Sequence, residues 1–420
     1  MVPITKPPVT GKSQAAMDME SNDAEYELVV IGGGIYGIML ALEASLRDVR
    51  VAVVERNEWG SGTTSAWLRI LHGGLRYLQS ADLPRFYESV RERRWFLQHF
   101  PDLMAPLPCV MPLYRRYSYP RLLMRAAMGM NDALSMHRNR GVADNVRIPS
   151  GTILSKADVV NTLPFVETDG LTGGARWHDA VVLEPQTLLL ELLKWASSKG
   201  ATALDHTEAV RLLRDDDRVL GVEVRDLRSG GMRQLRSPVV INATGHWAPG
   251  LAEQLGSGIK ATPRFSWAWN LLFDVTNDLG SAAAVSARRA NSQTFFMLPW
   301  RGQTLIGTGH ALMPAGERQD IVPENLISEF IQQVAEAVPA LNLTESKVAR
   351  IYQGVLPAGH GDEMQLTTRP LIVNHGDSGL QGLYTVWGIK FTTARDIAKV
   401  MLRKAFPSLR NVPVTYKRPM

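Results

Sequence analysis

The chain has 420 residues, with 46 Lys and Arg against 41 Asp and Glu, a formal charge of +5, and 45% apolar side chains. That length and balance suit two to three ordinary globular domains with a large buried core. Cys109 is the only cysteine, which excludes an internal disulfide, an iron–sulfur cluster and a Cys-rich zinc site; no metal site is expected, and a reducing, cytosolic setting fits.

In chain order, residues 1–24 are Pro-rich and polar. They read as a disordered tail without the apolar core of a secretory leader. No run of about 18 apolar residues follows, so no membrane-spanning helix is expected. Tyr26–Ile31 is an apolar strand of the buried, parallel kind, Gly37–Arg47 a helix, and Val49–Glu55 a second buried strand. Together they form a βαβ unit. Ala81–Phe100 is a charged helix, Pro101–Pro120 is broken by prolines, and Arg121–Arg138 is an amphipathic helix. Leu183–Lys199 reads as a helix and Ala203–Leu213 as a strand. Val219–Asp226 and Met232–Leu235 form a hairpin around Ser229-Gly230-Gly231, and Pro238–Asn242 is another buried strand. Residues 264–310 are mostly β, with strands at Trp269–Val275, Thr294–Pro299 and Thr304–Gly307. Pro323–Ala337 is a helix, Leu383–Val386 a strand and Thr392–Phe406 a final helix. The mixture predicts an α/β parallel-sheet core with a mostly antiparallel β second domain.

The first strand runs into Gly32-Gly33-Gly34-Ile35-Tyr36-Gly37, a G-x-G-x-x-G on Gly32, Gly34 and Gly37. Such glycines give a tight turn, close approach of backbone N–H groups to a pyrophosphate, and close helix–strand packing. The helix N-terminus then favours the phosphate charge. The motif alone is weak, since Gly-rich turns are common. Its setting between strand and helix, with Glu55 closing the next strand to hold a ribose diol, makes it a dinucleotide site, and the acid argues against a 2′-phosphate.

Four further stretches select FAD. Gly60-Ser61-Gly62-Thr63-Thr64-Ser65 is a hydroxyl-rich loop for phosphate and flavin contacts, and Asn242-Ala243-Thr244-Gly245 lets a cofactor lie close. Ala209-Val210 offers a strand edge to an adenine. Gly388-Ile389-Lys390-Phe391-Thr392-Thr393 opens the last helix, whose N-terminus stabilises charge on a reduced flavin. Each stretch taken singly is also an ordinary turn or cap. Arg56, beside Glu55, and His72, Gly73 and Gly74 join the expected contacts.

The chain resembles the FAD-dependent glycerol-3-phosphate dehydrogenases, within the wider D-amino-acid-oxidase-like flavoproteins. The specific piece is Thr63-Thr64-Ser65-Ala66 followed by Leu71-His72-Gly73-Gly74-Leu75-Arg76-Tyr77-Leu78, where the family carries T-S-S-x-S-S-K-L-I-H-G-G-L-R-Y-L. Ile241–Gly245 with Trp247, Met297–Trp300, Ile306–Thr308, Tyr352–Val355 and Gly388–Thr393 also match. The resemblance implies a Rossmann-type FAD-binding domain (25–108, 181–260 and 350–406) and a substrate or cap domain (141–180 and 261–349). A basic segment spans 109–140 and a tail 407–420. It implies hydride transfer from C2 of a phosphorylated polyol to flavin N5, with electrons passing to a quinone or other acceptor. Arg76, Arg369 and Lys390 would hold the phosphate, with His72 and Tyr77 orienting the hydroxyl. The structural alternatives are an ion-pair role for Arg76, a solvated Lys390 and a core His72. Functional alternatives are an amino-acid, amine or hydroxy-acid oxidase of the same superfamily, or a flavin-binding accessory subunit.

Two departures touch the substrate side. Tyr352-Gln353-Gly354-Val355-Leu356-Pro357 stands where the family has Y-A-G-V-R-P, so Leu356 replaces a phosphate-binding arginine. Ser266-Trp267-Ala268-Trp269-Asn270 replaces K-G-S-H, leaving Asn270 as a substitute hydrogen-bonding group or an ordinary strand residue. The helical or cysteine-rich C-terminal domain usual in the family is not expected after Phe406.

Arg115, Arg116, Arg121, Arg125, Arg138 and Arg140 face only Asp132 in their window, which accounts for the whole net charge. With Leu122, Leu123, Ala126, Met130, Ala133 and Leu134 at near-helical spacing and Tyr114, Tyr117 and Tyr119 upstream, this fits an interfacial helix on anionic lipid. It would place the protein at the inner face of the cytoplasmic membrane. A core-packed helix with a solvated basic face fits the pattern equally. Nucleic acid is a poor partner, since no binding motif accompanies the patch.

Overall fold

The computed structural model describes residues 23–115, 120–254, 263–276, 280–287, 292–314, 317, 320–359 and 369–419. A six-stranded sheet runs in the order Leu371–Asn374, Leu383–Trp387, Val240–Asn242, Leu28–Ile31, Val51–Val54, Thr202–Leu204. Its pairings are parallel apart from the first. Leu28–Ile31 and Val51–Val54 are apolar at every position and wholly buried, as a sheet covered on both faces requires. Helix Ile35–Ser45 covers one face and packs against Pro185–Ser198 and Ala394–Ala405. It carries a buried acid, Glu43, which receives Arg47 and the Tyr416 hydroxyl. Glu92 of helix Leu83–His99 is likewise buried and meets Arg395 twice at 2.8 Å. Removing one partner from such a buried pair costs about 3–5 kcal/mol.

A nine-stranded sheet forms the second layer. Its path is Val348–Pro357, Phe265–Phe273, Gln303–Leu312, Thr294–Trp300, Ala282–Ser286, Met104–Tyr114, Leu171–Val182, Ile70–Leu71, with Thr152–Leu154 also on Leu171–Val182. All pairings are antiparallel except Ala282–Ser286 on Met104–Tyr114. Helix Glu324–Ala337 presses Phe330 onto Trp269 and Phe295. A third, four-stranded sheet joins Asp23–Glu25, Met232–Arg236, Arg218–Asp226 and Thr207–Asp215. Among the described residues no helix is long and apolar enough to cross a membrane.

Several expectations change. The tail expected at 1–24 is ordered from Asp23, which starts a strand parallel to Gln234–Arg236; residues 1–22 lie outside the described part. The tail expected at 407–420 packs back through Tyr416 on Glu43 and through Arg418 on Asp102 and Glu191, because it fills a polar seam between helices. A division at 108/109 falls inside the continuous strand Met104–Tyr114. Pro106, Pro108 and Pro112 do not break it: they share one edge of the strand, and among the described residues that edge is paired only at Cys109 and Val110. Ile70–Leu71 and Val348–Pro357, assigned to the cofactor domain, belong to the larger sheet. Ala203–Leu213 is two strands in different sheets, split by a turn with His206 at φ 46°.

Candidate active site

The central strand Leu28–Ile31 delivers the glycine loop to the carboxyl edge of the parallel sheet, where ligands bind in such folds. A Cβ on Gly37 would stand 1.8 Å from the Gly32 carbonyl, so helix and strand meet here only through glycine. Glu55 reaches back into the loop and accepts the Gly33 and Asn57 N–H groups, each at 2.7 Å. The Thr64 hydroxyl accepts the Ile35 N–H at 3.1 Å. The amides of Gly34, Tyr36 and Gly37 have no acceptor among the described residues. Donors gathered at one helix N-terminus are what a diphosphate needs. Ala243 lies against Gly32, and Thr244 is held by Asn242 at 2.7 Å. Thr207 donates to the Glu55 carbonyl and Arg56 pairs with Glu208 at 3.4 Å, which sets edge strand Thr207–Asp215 beside the acid. Along that strand Ala209 pairs with Val224, and the register skips Val210.

The loop before the last helix is tied to the glycine loop. The Tyr36 hydroxyl donates to the Lys390 carbonyl at 2.8 Å and accepts the Lys390 N–H at 3.1 Å. Phe391 stacks on Trp67, rings 4.1 Å apart and 1° from parallel; Thr392 and Thr393 are buried beneath. Thr63 exchanges hydrogen bonds with both backbone groups of Val355 at 3.2 Å, joining the hydroxyl loop that ends in Ser65 to the larger sheet.

A second group forms around the Leu71–Leu78 stretch. Gly74, at φ 86°, caps the short helix Leu75–Gln79. The Lys390 ammonium lies 4.3 Å from the Tyr77 ring centre, and the Arg85 guanidinium 4.7 Å. Crowding by surrounding protein and the Arg76 charge push the Lys390 ammonium down to about 8, although the residue as a whole is exposed. Arg369 is exposed and adds its charge near Asp82, whose carboxyl is held low chiefly by hydrogen bonds from Arg85. His72 is half-exposed, with Nδ1 3.1 Å from the buried Asp179.

In the larger sheet Leu356 and the two tryptophans lie on opposite faces. Leu356 is half-buried opposite Ser266, and Trp267 and Trp269 are buried in the core of the larger sheet. Asn270 is a structural brace: its amide donates to the Ala66 carbonyl and its oxygen accepts the Thr308 hydroxyl at 2.9 Å. Both ends of the side chain are engaged, which fits the structural alternative, a strand residue, rather than a substitute ligand. Asp179, Arg93 and Trp67 escaped the sequence reading. Trp67 had a signal, since with Leu68 it replaces two serines of the motif.

Residues 27–399 match the FAD dependent oxidoreductase family. The chain belongs to that family. A glycerol-3-phosphate dehydrogenase of Mycobacterium leprae is 31% identical over 92% of this chain and 64% of its own length. One from Synechocystis is 28% identical over 93% and 72%. The chain thus spans about two thirds of these relatives. The glycerol-3-phosphate dehydrogenase from Bacillus halodurans, solved with FAD, superimposes with a TM-score of 0.69 at 23% identity, over 93% of this chain and 66% of that one. The glycerophosphate oxidase of Mycoplasma pneumoniae, also with FAD, gives 0.64 at 15% identity, over 94% and 97%. The family's cofactor is FAD, and the unpartnered amides beside Glu55 fit its diphosphate and ribose.

Proposed function

We propose that this FAD-dependent oxidoreductase oxidises the secondary alcohol of glycerol 3-phosphate, or of a close phosphorylated polyol, to the ketone. The observation that carries the proposal is the grouping of Arg76 and Tyr77, on the segment that begins at His72, with Lys390 from the loop before the last helix, among relatives named for that substrate. The Gly32–Gly37 amides and Glu55 hold FAD by its diphosphate and ribose. Arg56, Thr63, Thr64, Ser65, Gly73, Gly74, Ala209, Val210, Ala243, Thr244, Gly245, Gly388, Phe391 and Thr392 complete its surroundings. Bound FAD supplies the two-electron acceptor for the carbinol hydride. Arg76 and Lys390 bind the phosphate, with Arg369 closing the group from the surface. Tyr77 sets the position of the Lys390 ammonium, and His72 receives the hydroxyl proton.

Anaerobic mixing of the FAD-loaded protein with glycerol 3-phosphate should bleach the flavin absorbance. Bleaching by an amino acid or a hydroxy acid, with none by glycerol 3-phosphate, would overturn the substrate. Leu356 favours that second reading, because it removes a cation that a dianion needs and a carboxylate does not.

A membrane surface and a quinone acceptor accompany the proposal. Helix Arg121–Leu134 buries Met124 and Met128 and leaves Leu122, Leu123 and Met130 exposed beside Arg121 and Arg125. An apolar strip flanked by arginines suits the interface of an anionic bilayer on the cytoplasmic side. Arg116, Tyr117 and Tyr119 of the same patch lie outside the described residues. Sedimentation with phosphatidylserine vesicles at low salt should carry the protein down, and its staying in solution removes the membrane from the scheme.

A further inference from the structure

Asp179 lies on strand Leu171–Val182 and is 4% exposed. Four donors converge on its carboxylate. Oδ1 accepts the Gly73 N–H at 2.7 Å and Arg93 Nη1 at 2.8 Å. Oδ2 accepts the Trp177 indole N–H at 3.2 Å and faces His72 Nδ1 at 3.1 Å. Burial alone would push this carboxyl up, but the His72 bond and charge, the Arg93 guanidinium and the Gly73 amide overrule it and hold it at about 2. An ionised carboxylate only accepts, so the hydrogen shared with the neutral imidazole sits on Nδ1. Nε2 is then the bare nitrogen. It has no partner among the described residues, on a side chain that is 45% exposed.

The remaining charges around the pair leave this arrangement intact. Arg93 is buried and spends its charge on Asp179, with Arg138 behind it. The Cys109 thiol on the neighbouring strand is pushed up by burial and by Asp179, and stays neutral. His178, next along the strand, is pushed down by burial and Arg176. Gly73 is needed for the same reason: a Cβ there would stand 2.3 Å from Arg93 Nη1. Any side chain would drive the guanidinium off the carboxylate.

We propose that Asp179 is the positioning residue that locks His72 as the Nδ1–H tautomer and thereby makes Nε2 the acceptor of the substrate hydroxyl proton. The inference rests on the alcohol oxidation proposed above. The O–H bond breaks and its proton goes to Nε2. Its electron pair becomes the second carbon–oxygen bond, and the carbinol hydrogen leaves with two electrons as hydride to FAD. The imidazolium so formed stays paired with the Asp179 carboxylate.

Two-bond proton–nitrogen spectra of the FAD-loaded protein, labelled with [15N]histidine and recorded where the imidazole is neutral, test the lock directly. The His72 signal, identified by its loss in His72→Gln, should show a protonated Nδ1 and a bare Nε2. An Nε2–H tautomer overturns the proposal without any variant of Asp179. Asp179→Asn should slow anaerobic flavin reduction by glycerol 3-phosphate about 100-fold or more, the usual size of a general-base contribution. It should also move the acid limb of the pH profile while KM changes little. Gly73→Ala should act in the same direction. A wild-type rate and pH profile in Asp179→Asn also overturns the lock. If the wild-type protein is not reduced by glycerol 3-phosphate, the substrate reading fails, and the tautomer spectrum still decides the lock.

Discussion

The glycine loop and the strand that carries Leu356 present different chemistry to their surroundings. At Gly32–Gly37 the working groups are backbone amides, and the side chains matter by being absent. At Leu356 the side chain itself is the surface, on the sheet face it shares with Ser266, while Trp267 and Trp269 alternate onto the other face and pack into the core with Phe330. A backbone site tolerates change around it as long as the turn survives. A side-chain surface is rewritten by one substitution. A chain can therefore keep its glycine loop and still exchange single side chains on the larger sheet.

The comparison breaks first at Gly37. Gly37→Ala forces a Cβ into the Gly32 carbonyl, and such overpacking costs about 1–3 kcal/mol. The variant should purify nearly colourless, with FAD affinity lower by about one to two decades. A yellow variant with wild-type affinity would mean that the loop is not a rigid backbone site. Leu356→Arg tests the side-chain surface. A regained charge-assisted hydrogen bond is worth about 1.5–3 kcal/mol, so KM for glycerol 3-phosphate should fall about one to two decades with kcat nearly constant. An unchanged KM would place Leu356 away from the phosphate. The smallest effect is at Lys390, whose backbone is tied to the glycine loop and whose ammonium lies over Tyr77. Its ammonium is charged below about 8 and neutral above it. A phosphate dianion needs the charged form, so kcat/KM should drop as pH rises through about 8, roughly tenfold lower by pH 9. Lys390→Arg keeps its charge and should carry that limb out of range. A limb that stays in place belongs to another group.

The same contrast explains what could be read from sequence. Gly32, Gly34, Gly37 and Glu55 act within one βαβ unit, so spacing along the chain encodes spacing in the site. The strands Leu28–Ile31 and Val51–Val54 announce themselves by unbroken apolar runs. Asp179 is separated from His72 by 107 positions and looks, in sequence, like a polar residue in a strand. Asn270 was ambiguous for a related reason: its role depends on Ala66 and Thr308, which only the fold brings to it. The prolines of Met104–Tyr114 misled because strand-breaking depends on which edge lacks a neighbour, and that edge is defined by Ala282–Ser286. Tyr416 and Arg418 were hidden because their partners Glu43 and Glu191 lie on helices 373 and 227 positions earlier in the chain.

The pairing of Leu28–Ile31 and Leu383–Trp387 against the two edges of Val240–Asn242 has a consequence for biosynthesis. The glycine loop leaves the ribosome early. The strand and helix that complete its sheet, Leu383–Trp387 and Ala394–Ala405, leave it late. Throughout translation the nascent chain carries an apolar parallel strand with an unfinished sheet around it, the kind of intermediate that aggregates unless chaperoned. A chain cut before Leu383 would carry the whole glycine motif on a sheet that lacks the strand Leu383–Trp387 and the helix Ala394–Ala405 packed behind it.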